Sequence, residues 1–129
     1  MSANLDRLKG VYEAFAKGDV QAVLGAMHDR IEWREPASLP YQDQIGPQAV
    51  AENIFGRVMQ DVTGFTVAPE EFVDGGDTIV TIGTYRGQGT KTGIAFDTPF
   101  VHVWKFQNGK LSYFRTYTDT KVWVDVLGV

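Results

Sequence analysis

The chain has 129 residues, of which 43% are hydrophobic and 22% are charged, and its formal net charge is −4. This length and balance predict one globular domain over residues 1–129 with a buried core. The acidic balance, without any run of Lys or Arg, disfavours nucleic-acid binding, and the absence of Cys excludes disulfides and thiolate metal sites.

The sequence gives no signal for a membrane or for secretion. Its N-terminal residues lack the apolar core of a secretion signal, and no apolar run is long enough to cross a bilayer. We therefore expect a cytoplasmic protein that has no membrane partner.

Two helices are predicted at the start of the chain. The first has apolar residues at helical spacing, namely Leu5, Leu8, Val11, Tyr12 and Phe15. Ser2 or Asn4 can cap its start, and Gly18 favours its end. Asp19 is suited to cap a second, short helix, so the residues KGD at 17–19 predict a tight joint between the two.

A strand, a loop and a third helix are predicted next. Residues 31–36, IEWREP, indicate a strand in which Ile31 and Trp33 share one face. Residues 36–45 contain two prolines and no usable period, which predicts a loop. Pro47 is well suited to the first position of a helix. The apolar stripe of that helix consists of Val50, Ile54, Val58 and Val62.

The second half of the chain is rich in β-branched and aromatic residues. Strands are predicted at residues 65–73, 78–86, 94–106 and 111–118. Asn108-Gly109 is a strong hairpin signal between the last two, and the tail fits either a short helix or a last strand. The order α-α-β-α-β-β-β-β predicts an α+β fold, with helices on one face of a curved antiparallel sheet and a conical pocket between them.

Glu35 occupies the position where the alternation of the first strand calls for a third apolar residue. A carboxylate beside Trp33 loses hydration, which raises its pKa toward neutrality and suits a general base or acid. A carboxylate before a proline at a strand end is also often simply exposed. The residue therefore has a functional and a structural interpretation.

His102 shares one face of the strand FVHVWKF with Trp104 and Phe106. Apolar surroundings favour the neutral imidazole, which donates one hydrogen bond and accepts another. A core histidine with both hydrogen bonds satisfied is the alternative interpretation, and the sequence pattern alone leaves both open.

The last predicted strand has no face that is plainly apolar. Arg115 and Asp119 can form a charge pair beside Tyr117, either in a site or at the surface. A β-bulge would change which of the two faces enters the pocket.

Several aromatic residues are candidates to line a cavity. Tyr12 lies on the apolar stripe of the first helix, where a buried hydroxyl needs a partner. Tyr41, Tyr85 and Trp33 are further candidates. The sequence has no phosphate loop and no metal-ligand motif, and with two histidines and no Cys we expect no metal site and no cofactor.

Four segments, taken in order and spacing, resemble a known family. KGD, IEWREP, GPQAV and HVWKFQNGKLSYFRTYTDT are similar to the SnoaL-like branch of the ketosteroid-isomerase and nuclear-transport-factor-2-like superfamily. The resemblance spans about residues 5–122. It implies a cone-shaped sheet wrapped by three N-terminal helices, an apolar pocket inside, and a homodimer.

The resemblance also implies roles for individual residues. Glu35-Pro36 matches the place where ketosteroid isomerases carry a proton-shuttling aspartate before a proline. His102 falls where those enzymes carry the acid that stabilises an oxyanion, and Tyr12 is one residue from the place of their oxyanion tyrosine. Asp119 is similar to the acid/base aspartate of SnoaL-like cyclases. The Arg-x-Asp pair that epoxide hydrolases of this fold use is missing.

These implications give a first hypothesis, an enzyme that moves a proton next to the carbonyl of a small apolar compound. Glu35 would be the base, His102 the donor to the enolate, and Asp119 a second acid/base group. The expected substrate-binding residues are Tyr12, Trp33, Tyr41, Trp104, Arg115 and Tyr117. The alternatives are a non-catalytic ligand-binding or dimeric interaction module of the same fold, and a structural dimer with a collapsed pocket.

Overall fold

Six strands form one open, mixed sheet in the computed structural model, which describes residues 2–129. The strands are β1 Met27–Arg34, β2 Gln44–Ile45, β3 Val62–Asp74, β4 Thr78–Gly89, β5 Ala95–Gln107 and β6 Lys110–Thr118. Their order in the sheet is β2-β1-β6-β5-β4-β3, and β1 runs parallel to β6 while every other pair is antiparallel. This arrangement confirms the predicted α+β class.

The helices lie before β1, between β2 and β3, and at the C-terminal end. They are α1 Ala3–Ala16, α2 Val20–Gly25, α3 Pro47–Val50, α4 Gly56–Asp61 and α5 Thr120–Leu127. A π-helical turn, Ala51–Phe55, joins α3 to α4. Within residues 2–129, none of these helices has the length and apolar character needed to span a membrane.

The predicted caps of the first two helices are confirmed. The Ser2 hydroxyl accepts a hydrogen bond from the Leu5 amide at 3.1 Å, and the Asp19 carboxylate accepts one from the Ala22 amide at 3.1 Å. Each cap satisfies a backbone donor that has no partner inside its helix. The joint at Gly18 has a φ of 76°, a conformation that favours glycine.

The core lies between the helices and one face of the sheet. Leu8 of α1, Ile31 of β1, Val50 of α3 and Ile79 of β4 have no exposed surface. Burial of one such side chain stabilises the fold by about 1.5–3 kcal/mol. The periodicity that predicted α1 and the third helical segment therefore identified their core faces correctly, but Val62, predicted as the last residue of that helical stripe, is the first residue of β3.

One segment differs from the prediction, and another settles whether the tail is a helix or a strand. The loop predicted at residues 36–45 is wrong at its end, because Gln44 and Ile45 form β2 and pair with Trp33 and Glu32. This short pairing supplies hydrogen-bond partners along the outer edge of β1. The tail is a helix, α5, which ends at Gly128 with a φ of 72°.

The hairpin and the register of β6 decide which side chains enter the core. Asn108 and Gly109 have φ values of 50° and 76°, as a tight two-residue hairpin requires. The pairing then shifts, because Phe106 lies opposite Leu111 while Lys105 lies opposite Tyr113. This bulge changes the face of the strand that is buried, so the inward residues beyond it are Phe114 and Thr116.

We predict that Gly83→Ala destabilises the fold by about 1–3 kcal/mol. An added Cβ would overlap the carbonyl oxygen of Ala68 on β3 and lie 2.5 Å from Cζ of Phe100 on β5. Urea unfolding monitored by circular dichroism measures the change. Gly10→Ala in α1 is the matched control, because its Cβ meets nothing within 4 Å and should stabilise the helix by about 0.5–1 kcal/mol. Unchanged stability of Gly83→Ala would contradict this packing.

Candidate functional site

A cavity of about 90 Å³ lies between the helices and the inner face of the sheet. Its wall is mainly aromatic, and the rings come from every layer of the fold: Phe15, Trp33, Phe55, Phe65, Trp104 and Trp123. The polar side chains on the wall are few, and they include one carboxylate and one imidazole. This composition is typical of a site that binds an apolar molecule and orients it with a few polar groups.

Glu35 is the carboxylate on the cavity wall. It follows the last residue of β1, and its Oε2 accepts a hydrogen bond from the Trp33 indole nitrogen at 2.7 Å. Trp33 itself stacks on Phe114 of β6, with ring centroids 3.8 Å apart. Because one indole packs in the core and binds Oε2, it fixes the carboxylate and leaves Oε1 as the oxygen that remains for a ligand.

The backbone of Glu35 is fixed by the loop that follows it. The Asp43 carboxylate accepts a hydrogen bond from the Glu35 amide at 2.8 Å and pairs with Arg34 at 3.2 Å. Two residues before Asp43, the Tyr41 hydroxyl donates to Asp61 at 2.8 Å, and Arg57 lies over the Tyr41 ring. These contacts hold the loop against α4, where Tyr41 forms part of the cavity wall.

The pKa of Glu35 is raised to about 7. Burial in the aromatic wall is the main cause, because it removes water from the charged form. The Trp33 hydrogen bond opposes this shift, and the negative charge of Asp43 adds to it. Glu35 therefore exchanges a proton near neutral pH, as a general base or acid requires.

His102 lies in a chain of buried hydrogen bonds on the cavity wall. Its Nδ1 is 2.6 Å from the Tyr12 hydroxyl, and its Nε2 is 2.6 Å from the Tyr85 hydroxyl. The Trp104 indole donates to the Tyr12 oxygen at 2.9 Å, and the Tyr85 hydroxyl is 2.9 Å from the Thr116 hydroxyl. We call these five residues the His102 chain. All five border the cavity.

The surroundings of His102 hold its ring in the neutral form. Its ring stacks on Phe100 with centroids 3.9 Å apart, and Phe114 contacts it edge-on. Burial lowers the pKa of His102 well below its usual range, and it raises the pKa values of Tyr12 and Tyr85. The groups of the His102 chain are therefore uncharged at neutral pH.

Comparison with known proteins agrees with the fold and with the resemblance in the sequence. The family model described as a SnoaL-like domain matches residues 8–114. The chain belongs to the SnoaL-like family. Comparison with curated proteins gives no match.

Solved structures similar to this SnoaL-like chain cover nearly all of it. An NTF2-like protein of unknown function from Burkholderia pseudomallei is 30% identical over 100% of both chains, with a TM-score of 0.92. An NTF2-like protein from Burkholderia thailandensis is 27% identical over 98% of both chains, with a TM-score of 0.93. TerC, co-crystallised with polyporic acid, is 25% identical over 98% of both chains, with a TM-score of 0.87.

The SnoaL-like fold brings most of the candidate residues to one cavity. Those that border it are Glu35, His102, Tyr12, Trp33, Tyr41 and Trp104. Asp119 lies elsewhere, because its exposed side chain caps α5 by accepting from the Lys121 and Val122 amides. Arg115 and Tyr117 are exposed on the outer face of β6, where Arg115 lies over the Tyr117 ring. The bulge in β6 is the reason that these two point away from the cavity.

Two further polar residues of the site, Tyr85 and Thr116, were not among the expected catalytic or substrate-binding residues. Tyr85 was expected only to line a cavity, and Thr116 was not singled out. Thr116 alternates with Phe114 and Thr118, which is the pattern of an inward face. That signal is visible only when the bulge in β6 is known. Among residues 2–129, no group of three or more His, Asp or Glu side chains is arranged to hold a metal ion.

We predict that Glu35 makes the stability of this SnoaL-like protein fall as the pH rises. Its pKa is about 7 in the fold and near 4.5 when unfolded, so its stabilising contribution is present below pH 4.5 and is lost as the pH rises through 7. Relative to the parent, Glu35→Gln should gain about 1–3 kcal/mol between pH 5 and pH 8. Urea unfolding across this range measures the difference.

Glu71→Gln, at an exposed carboxylate on β3, is the control. Its stability relative to the parent should stay constant over the same pH range. If the stability of Glu35→Gln relative to the parent is also independent of pH, the carboxylate of Glu35 is hydrated and its placement in the cavity wall is wrong.

Proposed function

We propose that this SnoaL-like protein is a cofactor-independent enzyme that moves a proton next to the carbonyl group of a small apolar compound, as an isomerase or cyclase does. The observation that carries this proposal is the Glu35 carboxylate. It borders an aromatic cavity, it is held by the Trp33 indole, and its pKa is about 7. An enzyme that abstracts protons near neutral pH needs a base of this kind.

The chemical step uses Glu35 alone as the proton carrier. The free Oε1 takes a proton from the carbon next to the carbonyl, so that a C–H bond breaks and an O–H bond forms. The electron pair of the C–H bond moves into a C=C bond, and the carbonyl oxygen becomes the enolate oxygen. Glu35 then returns the proton to the same carbon or to another one. In a site with little water, a positioned hydrogen-bond donor stabilises the enolate oxygen.

Two observations support a small ligand in this cavity. Its wall is largely aromatic and buries the few polar groups among rings, which suits an apolar molecule that carries one polar group. In addition, the similar protein TerC was crystallised with polyporic acid. That complex supports ligand binding by this fold.

The roles first expected for His102 and Asp119 take a different form in this proposal. Both ring nitrogens of His102 lie 2.6 Å from tyrosine hydroxyls, so the imidazole acts on a ligand only through those hydroxyls. Asp119 accepts hydrogen bonds from two backbone amides at the start of α5. We propose a structural role for Asp119 as a helix cap.

We predict that the protein exchanges the methyl protons of acetophenone for deuterium in D2O and that Glu35→Gln lowers the exchange rate about 10²- to 10⁴-fold. Acetophenone is an aromatic ketone whose acidic C–H bonds lie next to the carbonyl, so the test needs no natural substrate. Proton nuclear magnetic resonance measures the loss of the methyl signal. The rate should rise with pH through about 7, because only the carboxylate accepts a proton.

Glu71→Gln is again the matched control and should exchange at the parental rate. A rate in Glu35→Gln equal to that of the parent would remove Glu35 from the reaction. Bound acetophenone that shows no exchange in the parent would instead favour the second candidate, a ligand-binding module without chemistry. One observation favours this second candidate. Both ring nitrogens of His102 are already hydrogen-bonded to tyrosine hydroxyls, so neither contacts a ligand directly.

We also propose that the protein forms a homodimer through the outer face of the sheet. Ile82 of β4, Val101 of β5 and Tyr117 of β6 lie side by side across three strands. Ile82 and Tyr117 are 36% and 52% exposed, so an apolar row faces away from the core. A second copy would remove this row from water.

We predict that Ile82→Lys combined with Tyr117→Lys weakens this dimer at least about ten-fold, because lysine side chains opposite each other repel and lose hydration. Analytical ultracentrifugation over a range of protein concentrations measures the dissociation constant. Ile94→Lys, an exposed apolar residue between β4 and β5, is the control and should leave the constant unchanged. A double variant with the parental constant would place the interface elsewhere.

A further inference from the structure

The His102 chain contains more protons than it needs for its own hydrogen bonds. It has four hydrogen bonds, which run from Trp104 to Tyr12, from Tyr12 to His102, from His102 to Tyr85, and from Tyr85 to Thr116. The neutral imidazole supplies one proton, and each of the other four side chains supplies one. Five protons therefore serve four bonds, and one donor remains free.

The position of the free donor depends on the tautomer of His102. An indole nitrogen only donates, so the Tyr12 oxygen must accept from Trp104. With the ring proton on Nδ1, the Tyr12 oxygen accepts a second bond and Tyr12 keeps the free proton. With the ring proton on Nε2, Tyr12 donates to Nδ1 and Nε2 donates to the Tyr85 oxygen. Only this second tautomer leaves the free proton with the hydroxyls of Tyr85 and Thr116.

Within residues 2–129, the Tyr85 and Thr116 side chains make no hydrogen bond outside the His102 chain. The buried Thr81 of β4 lies opposite His102, on the side of the chain where Tyr12 lies. Tyr85 and Thr116 both border the cavity, whose wall is otherwise mostly apolar. A buried donor without an acceptor costs about 1–3 kcal/mol, so an acceptor on a ligand would be favoured at this point.

The Tyr85–Thr116 pair also lies on the side of the cavity that Glu35 affects. The charge of Glu35 contributes to the raised pKa of Tyr85, whereas Tyr12 shows no such contribution. β1 and β6 are neighbours in the sheet, and Arg34, next to Glu35, pairs with Arg115, next to Thr116. A ligand that reaches Glu35 and Thr116 therefore spans the adjacent strands β1 and β6, and Tyr85 of β4 contacts Thr116 there.

We propose that His102 carries its ring proton on Nε2 and that the Tyr85–Thr116 hydroxyl pair donates its one free proton as a hydrogen bond to a carbonyl or enolate oxygen of the ligand in the cavity. The ligand class is an apolar, preferably aromatic, molecule with a single acceptor oxygen at this position. His102 is a positioning residue, because it holds the Tyr85 oxygen with Nε2–H and leaves the hydroxyl proton to the ligand. This inference deepens the proposed function, since the same oxygen becomes the enolate oxygen when Glu35 takes the proton.

Two probes of equal shape test the donor without any turnover. Acetophenone carries a C=O group where α-methylstyrene carries a C=CH2 group. Removal of both hydroxyls, Tyr85→Phe with Thr116→Val, should weaken acetophenone binding relative to α-methylstyrene about five- to ten-fold, which is the loss of one hydrogen bond. Titration calorimetry measures both affinities. Thr116→Ser, which keeps a hydroxyl, should show the parental ratio.

The infrared frequency of the bound carbonyl gives a second readout that mere loss of packing does not move. In the parent, the C=O stretch of ¹³C-labelled acetophenone should lie below its frequency in hexane, because a hydrogen bond weakens the C=O bond. The shift should be lost in the double variant and kept in Thr116→Ser. His102→Leu should keep a smaller shift, because Tyr85 and Thr116 still hold a free proton between them but the Tyr85 oxygen is no longer positioned by Nε2–H.

A shift that survives removal of both hydroxyls, or one that disappears in His102→Leu while the Thr116→Ser protein keeps it, would overturn the assignment. Failure of acetophenone to bind at all would overturn it as well. Deuterium exchange is a separate outcome. If the carbonyl shift is present and no exchange occurs, the donor assignment stands and the proposed reaction fails. If exchange occurs without the shift, the proposed reaction stands and the donor assignment fails.

Discussion

The His102 chain ties the inside of the fold together. Its members come from α1, β4, β5 and β6, so one line of short hydrogen bonds joins a helix to three strands across the cavity wall. Polar groups in an apolar core are tolerated only when they are bonded to one another. The chain therefore determines both the packing of α1 on the sheet and the positions of the hydroxyls that face the cavity.

The Trp33–Glu35 hydrogen bond likewise satisfies a buried polar group at the cavity wall. Trp33 is 5% exposed and packs on Phe114, yet its indole nitrogen requires an acceptor. Glu35 provides it at the point where β1 ends. The hydrogen bond satisfies the indole, and burial raises the pKa of the carboxylate to about 7. A requirement of the core thus produces a group with a pKa that suits proton transfer.

The sequence predicted the parts of the fold that depend on local physics. Helix caps at Ser2 and Asp19, the hairpin at Asn108-Gly109 and the apolar stripes follow from neighbouring residues, and the structure confirms them. The placement of Glu35 beside Trp33 was likewise visible in one strand. The register of β6 was not, because a bulge at its start depends on pairing with β5. For that reason Arg115 and Tyr117 were expected in the pocket that Thr116 borders.

The parallel pairing of β1 with β6 has a consequence for how the protein forms. Trp33 lies opposite Phe114, about 80 residues farther along the chain. Closing so long a loop costs entropy before any contact repays it, and contacts of this range slow folding. During synthesis, the edge of β1 that pairs with β6 has no partner until residues 110–118 have been made. The part of the cavity wall in which Trp33 packs on Phe114 therefore forms only after that strand is available.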